Sequence, residues 1–312
     1  MEYPPQELQS PSLLDPVSCG EDLFHNATRV SELAPGHCAG CADYHIRSAA
    51  HRCAGILKGI AFDRPQLTEM IRKIIAERVA ATDTTIEIVI PGSADTGILA
   101  TCAHAAATLG VSSLDRCRFT VLDRCPTPLL LCQEYAAAHR LSIRTCQVDL
   151  RTTSQQFDAD LIVAHSVFRF IERADQIAVL DKFGNWLRAG GRMIVSNRLK
   201  PDEKAEAMAE FRKRTVANNA VKSVLESGVL RTREPAEKFL NRLKRSINDG
   251  EGRPGEFQSL ADAQSLFAGS HLRVLSSQSL TWKIELAPDD LISRSRVLAV
   301  LSRADEQGVP RA

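Results

Sequence analysis

The residues able to do chemistry recur at regular positions in the middle third of the chain. The run 86–97, IEIVIPGSADTG, begins as an apolar strand and breaks into a turn of small residues: Gly92, Ser93, Ala94, Asp95 and Gly97. Such a turn lets a ligand approach the main chain closely, because these residues have almost no side chain to hold it away. One helix later a second apolar run, RFTVLDR, ends in Asp123–Arg124. A carboxylate at that point can accept two hydrogen bonds from ribose hydroxyls. A third run ends in Asp149–Leu150, where the acid can accept from an adenine amino group and the Leu150 N–H can donate. Helix capping or turn formation explains either acid taken alone. Both falling at strand ends favours the pocket. Strand, small-residue turn, helix, strand, acid is the layout of a nucleotide-type site.

These positions need a scaffold that brings strand ends together. Strands are expected at 86–91, 119–123, 143–148, 161–165 and 192–196, with helices at 98–109, 128–140 and 175–188 and a short turn after His165. IEIVI and DLIVA are apolar without interruption, as strands covered on both faces are. Alternation at this period predicts a doubly wound α/β sheet with right-handed crossovers. Ligands then sit at the carboxyl ends of the strands, which adds His165–Ser166 and Asn197–Arg198 to the candidate residues.

Around this core the chain changes character. Residues 1–17 read as a flexible arm. Residues 18–82 are helical in pattern, with helices expected at 49–60 and 65–80, Pro65 suiting a first-turn position. Two charged helices, 202–226 and 235–248, and a Gly/Pro-rich linker follow the core. A helix at 260–268 and closing strands near 272–277 and 280–286 precede a C-terminal tail.

The 312 residues are 44% hydrophobic and 25% charged, an ordinary globular balance, and a net charge of +1 gives no global field for nucleic acid or an anionic membrane. No apolar run approaches the roughly 18 residues that span a bilayer. The N-terminus has acids and prolines and no apolar centre, unlike a signal peptide. Nine scattered cysteines fit reduced thiols in a cytoplasmic protein.

GSADTG, VLDRCPTP, CQVDLRT, FDADLIVAHSVFRFI and, above all, LRAGGRMIVSN resemble the motif order of class I S-adenosylmethionine-dependent methyltransferases over residues 86–197. The resemblance implies a mostly parallel, seven-stranded Rossmann-like sheet with an N-terminal helical lid (18–82), a core (83–199), an inserted helical cap (200–256) and a closing part (257–312). It implies S-adenosylmethionine as cofactor. Gly92–Gly97 would then pass beneath the methionine moiety, Asp123 would hold the ribose, Asp149–Leu150 would frame the adenine, and His165 would stand beside the sulfonium. The first motif departs from the family: Pro91 takes the strand end and only Gly92 and Gly97 remain of the glycines. Asp95 is the candidate partner of the methionine amino group.

Methyl transfer from a sulfonium is mainly a matter of alignment, with a base near neutrality useful for an oxygen or nitrogen acceptor. His165 and His45 are the candidate bases; a hydrogen-bonded structural role is the alternative for His165. Tyr44 and His45 in the lid, and Asn197 and Arg198 below the cap, are candidate contacts to a small-molecule substrate. GHCAGCADYHIRSAAHRC holds Cys38-x2-Cys41 with His45 four residues later, a spacing that can chelate zinc. A second cysteine pair is missing and Cys53 would have to fold back, so ordinary packed or exposed residues, and no metal, are expected. From Arg198 to Arg253 there are 14 Lys and Arg against 9 Asp and Glu, without interleaved aromatics. A solvated helix face accounts for that better than nucleic acid. A homodimer through the N-terminal helices is compatible with this pattern. Two other functions stay open: non-methyl chemistry on the same cofactor's aminobutyrate chain, and cofactor binding without turnover.

Overall fold

IEIVIP forms the central strand β1 (Ile86–Pro91) because its alternate side chains fill cores on opposite faces of one sheet: Ile86, Ile88 and Ile90 point to one, Val89 to the other. The computed structural model describes residues 23–38, 40–53, 63–200, 255–287 and 290–304. Helices α1 (Leu23–His37), α2 (Ala42–Cys53) and α3 (Arg64–Ala81) precede the sheet. After β1 come α4 (Gly97–Ala107), the short α5 (Val111–Asp115), β2 (Cys117–Asp123), α6 (Pro126–His139), β3 (Ser142–Gln147) and β4 (Ala159–His165). A 3-10 turn (Phe168–Phe170), α7 (Arg173–Trp186) and β5 (Leu187–Arg198) complete the alternating part. α8 (Leu260–Ala268), β6 (Leu272–Ala287) and β7 (Asp290–Arg303) close the chain.

The sheet order is β3-β2-β1-β4-β5-β7-β6. The first five strands are parallel, while β7 runs antiparallel to both β5 and β6. This is the doubly wound, mostly parallel seven-stranded Rossmann-like sheet. Strand order reverses between β1 and β4, so the ligand-bearing crevice of such a fold opens there. One core packs Met193, Val195 and Ile162 against Phe168, Phe183, Trp186, Phe257 and Phe267. The other packs Ile88, Ile90, Phe119, Val121 and Ile194 against Ile71 and Ile75 of α3, Leu99 of α4 and Leu129 of α6. Both faces are covered, so these strands carry no polar alternation.

The C-terminal part differs from expectation. One sixteen-residue β6 replaces the two short strands expected at 272–277 and 280–286, and residues assigned to a tail form β7. RVLAVLS supplies that strand with Val297, Leu298, Ala299 and Leu301, all buried between β5 and β6. LRAGG is also strand rather than a helix end: β5 begins at Leu187, with a register shift against β4. At Gly191 a Cβ would meet the Ala159 carbonyl at 2.8 Å, so the strands approach there only because that residue has none. The expected arm (1–17) and the charged helices (202–226, 235–248) lie outside the described residues, as does the end of the helix expected at 49–60. No helix among the described residues is long and apolar enough to cross a membrane.

At the amino-terminal edge of the sheet, buried Asp160 is fully used. Its oxygens take Arg78 Nη2 (2.6 Å), Arg188 Nη1 (2.9 Å) and the Glu87 N–H (2.9 Å), fastening α3 to β1, β4 and β5. The carboxyl-terminal edge is different.

Candidate active site

The turn after β1 brings main chain against main chain. Gly92 has φ +71°, and a Cβ there would lie 2.5 Å from Val167 Cγ2 in the loop after β4. Glycine is therefore required on two counts, backbone angle and space. The rest of the turn is held by its own polar groups. Ser93 Oγ donates to the Asp95 carbonyl (2.5 Å), and Asp95 Oδ1 accepts the Gly97 N–H (2.7 Å) at the start of α4. Asn26 Nδ2 of α1 donates to Thr96 Oγ1 (3.0 Å), tying α1 to the turn. One oxygen of Asp95, the candidate partner of a ligand amine, thus caps a helix.

Asp123 ends β2 as the spacing required. Its Oδ1 accepts the Cys125 N–H (2.6 Å), and Oδ2 has no hydrogen bond among the described residues. Burial lifts its carboxyl to about 6 against the pull of that N–H. Arg124 is exposed, its carbonyl accepting from Gln147 Nε2 (3.2 Å). Asp149 is more committed than expected. Arg151 grips it with Nε on Oδ1 (3.0 Å) and Nη2 on Oδ2 (2.7 Å), and its N–H also reaches Oδ1. The Arg151 hydrogen bonds hold its carboxyl down at about 2. Leu150 beside it is buried, its carbonyl held by Lys182 Nζ (2.8 Å).

At the tips of β4 and β5 lies a polar network that no motif announces. Asp63, fully buried just before α3, receives His165 Nε2 (3.2 Å), the Ser196 hydroxyl and Arg296 Nε (3.1 Å), all on Oδ2. Arg296 of β7 also donates to Ser196 Oγ (3.0 Å) and through Nη2 to Ser166 Oγ (2.6 Å) and the Ser196 carbonyl (3.2 Å). Nη2 lies 3.2 Å from His165 Nε2 as well. Both nitrogens cannot donate to each other, so with Nη2 already supplied with acceptors the consistent proton placement is Nε2–H to Asp63. That leaves Nδ1 as the basic nitrogen. Ser166 sits in the left-handed region (φ 60°), a strained conformation held by these bonds at the loop's first residue. Burial, then the Arg296 guanidinium, keeps His165 below its usual value, with Asp63 pulling the other way. Burial pushes the Asp63 carboxyl up, but Arg296 and His165 outweigh it and hold the group well below the carboxylate range.

This edge carries unspent hydrogen-bonding capacity. Asp63 Oδ1, both polar atoms of the Asn197 side chain, and Nε of Arg64 and Arg198 are buried without a partner among the described residues. Asn197 is fully buried. Unpaired buried polar atoms are costly, on the order of 1–3 kcal/mol each, so a cluster of them on one edge marks a place where a polar ligand fits.

The N-terminal helices α1 and α2 reach the same edge. His45 in α2 is buried, with Nδ1 3.3 Å from the Ala94 carbonyl of the turn. Tyr44 packs edge-on against His45 (5.4 Å) and against Phe170 (5.9 Å), which is half exposed beyond β4. Arg29 of α1 grips Glu134 of α6 with Nη2 (2.6 Å) and Nε (3.0 Å). Cys125 at the start of α6 then meets the cysteines between α1 and α2: its Sγ is 2.9 Å from that of Cys38, which also lies 2.9 Å from Thr127 Oγ1. Burial works against ionising Cys125, but hydrogen bonds from His45 and Cys38 and the Thr127 N–H bring it down to about 6. Burial pushes the Cys38 and Cys41 thiols up.

The structure therefore brings Tyr44, His45, the turn 92–97, Asp123, His165 and the Asn197–Arg198 strand end to one edge of the sheet. Sequence reasoning placed Ser166 at the strand end but missed Asp63, Ser196, Arg296 and Cys125. A signal existed only for Cys125, two residues after a strand-end acid; Asp63 and Arg296 lie far away in sequence with no motif around them.

No protein-family model matches the sequence, and no curated protein matches it. Distant likenesses occur among solved structures. An O-methyltransferase family protein from Burkholderia thailandensis shares 10% identity, with 84% of this chain and 60% of that one covered and a TM-score of 0.47. TehB from Haemophilus influenzae shares 11% (73% and 61% covered, TM-score 0.45). The mitomycin 7-O-methyltransferase MmcR shares 15% (96% and 67% covered, TM-score 0.43). The chain thus spans about three fifths of the first two. At such identities the assignment of the Rossmann-like fold rests on the strand order and directions of this chain itself.

Proposed function

We propose that this chain is an S-adenosylmethionine-dependent methyltransferase acting on a small-molecule acceptor. The observation that carries the reading is the state of Asp123: it stands at the tip of β2, beside the reversal of strand order, with Oδ2 free of hydrogen bonds among the described residues. That oxygen suits a ribose hydroxyl. The main chain at Gly92 and the buried groups of Asn197, Arg198 and Arg64 that have no partner among the described residues suit a polar ligand lying across β1, β4 and β5.

S-adenosylmethionine supplies a sulfonium-bound methyl group that is already electrophilic. The chain's own work is positioning, exclusion of water and handling one proton. Tyr44 and Phe170 cover the edge from the lid side. His165, neutral near pH 7 and oriented by Asp63 through Nε2–H, presents Nδ1 to receive the proton of an acceptor hydroxyl or amine. Asn197 and Arg198 orient that acceptor. His45 is less suited to the role of base, with Nδ1 directed at the Ala94 carbonyl.

Titration calorimetry with S-adenosylmethionine tests the reading. The native chain should bind, and Asp123→Asn should bind about 10- to 100-fold more weakly, the worth of a charged hydrogen bond. Turnover with pooled small-molecule acceptors should release S-adenosylhomocysteine. Methylthioadenosine as the product would overturn methyl transfer, and absence of binding would overturn the cofactor assignment altogether.

A further inference from the structure

The geometry points to a structural zinc site built from Cys38, Cys41, His45 and Cys125, which fastens the N-terminal helices to the junction of β2 and α6. One ligand atom from each of these four residues lies within 4.8 Å of all the others. A tetrahedral ion with Zn–S bonds of about 2.3 Å has ligand–ligand edges near 3.8 Å, so four donors gathered this closely already outline one coordination sphere. Three thiols and an imidazole are a donor set that selects zinc among common divalent ions, and four protein ligands leave no open position, as in structural sites.

The surrounding residues are arranged as such a site needs. Cys38 follows α1, with its N–H on the Ala34 carbonyl (3.0 Å), and Cys41 immediately precedes α2, so the two thiols sit on the tight link between helices. Cys41 accepts the His45 N–H on its carbonyl (3.2 Å), which puts the imidazole one turn up the same helix. With Nδ1 hydrogen-bonded to the Ala94 carbonyl, Nε2 is the ring nitrogen left for the metal, the usual outer-sphere arrangement for a metal-bound histidine. Thr127 Oγ1 is placed to donate to the Cys38 thiolate. Cys125 occupies the N-cap position of α6, where the helix dipole favours a thiolate. Cys125, rather than Cys53, completes the set, from 84 residues beyond Cys41 in the chain. Binding would release the thiol protons of Cys38 and Cys41, and any still held by Cys125, to solvent as three Zn–S bonds and one Zn–N bond form.

Protein expressed with zinc in the medium and purified without chelator should carry one equivalent by elemental analysis. Cys125→Ser should lose it, and Cys146→Ser, which alters a half-buried thiol outside the set, should keep it. Because loss of zinc in one variant could reflect misfolding, His45→Cys supplies an independent reading. It should retain one equivalent and, after cobalt substitution, strengthen the thiolate-to-cobalt charge-transfer absorption of a tetrahedral centre. Thr127→Val should weaken zinc retention against a competing chelator by roughly 10- to 100-fold. Metal content near zero in the native chain would overturn the proposal, as would a Cys38–Cys125 disulfide found by mass spectrometry, an iron–sulfur absorption spectrum, or a His45→Cys chain that folds without metal. None of these readings depends on S-adenosylmethionine binding.

Discussion

Asp63 and His165, 102 residues apart in sequence, meet with 3.2 Å between Oδ2 and Nε2 at the carboxyl edge of the sheet. The same Asp63 oxygen takes the Ser196 hydroxyl and Arg296 Nε, so one buried acid joins the lid side of the chain to β4, β5 and β7. Asp160 does a comparable job at the opposite edge, but with both oxygens used. Asp63 keeps an unpaired oxygen at the carboxyl edge, where the Asn197 side chain and Arg64 and Arg198 Nε are also without partners among the described residues; at the amino edge the unpartnered buried atoms are Nε of Arg78 and Arg116.

Removing the Asp63 charge leaves Arg296 buried without its counter-ion. Breaking such a pair costs about 3–5 kcal/mol, whereas replacing both partners with apolar groups of similar size costs far less. Urea unfolding of Asp63→Leu should show that loss, and Asp63→Leu combined with Arg296→Met should recover most of it. A single variant as stable as the native chain would mean that water already reaches Arg296.

The folded-state value of His165 is depressed, so the unfolded chain binds the extra proton first as pH falls. Its contribution to stability is complete above about pH 6.5 and is lost between there and its lower folded value, with a slope of at most about 1.4 kcal/mol per pH unit. Asp63, also depressed, contributes fully above about pH 4 and is lost below it. In thermal melts from pH 8 to 3 the native chain should lose stability relative to His165→Gln as pH falls below about 6.5. Both should decline below about pH 4 through Asp63, while Asp123, raised to about 6, acts in the opposite sense on both alike.

Much of the α/β core was legible because burial on both faces favours short β-branched apolar runs such as the IVI of IEIVI and the LIVA of DLIVA, repeated at the spacing of strand–helix units. The closing strands were misread for the opposite reason. β6 has an exposed, polar middle (Ser276 to Ser279), which resembles a turn between two strands when its partner β7 is not in view. The strand-end acids were legible by spacing. The Asp63 network and the third cysteine, Cys125, were not, because each is a contact between distant segments that leaves no local pattern. Cys38-x2-Cys41 was visible; what it met was decided by how α1 and α2 lie over α6.

Gly92 makes a sharp test of the turn. Alanine there combines a left-handed backbone angle with a methyl group 2.5 Å from Val167 Cγ2. The angle alone costs a non-glycine residue about 1 kcal/mol or more, and the clash adds to it. Gly92→Ala should lower the melting temperature, and adding Val167→Ala should relieve the steric part only. Calorimetry on the double variant should still show weakened S-adenosylmethionine binding, since the turn can no longer hold its φ of +71° without strain.

If His165 receives the acceptor's proton, its removal should damage the chemical step and spare the cofactor. General bases contribute typically about 10²–10⁴-fold, so single-turnover methyl transfer by His165→Gln should slow within that range while S-adenosylmethionine affinity changes little. The pH profile separates a base from a packing residue. The native rate should rise with pH through a point below 6.5, where Nδ1 loses its proton, and stay flat through neutrality. Asp63→Asn, which no longer holds the imidazole by a carboxylate, should lower kcat and displace that inflection. A glutamine variant that keeps the native rate and the native inflection would assign His165 to structure, with its hydrogen bond to Asp63 serving only to join α3 to β4.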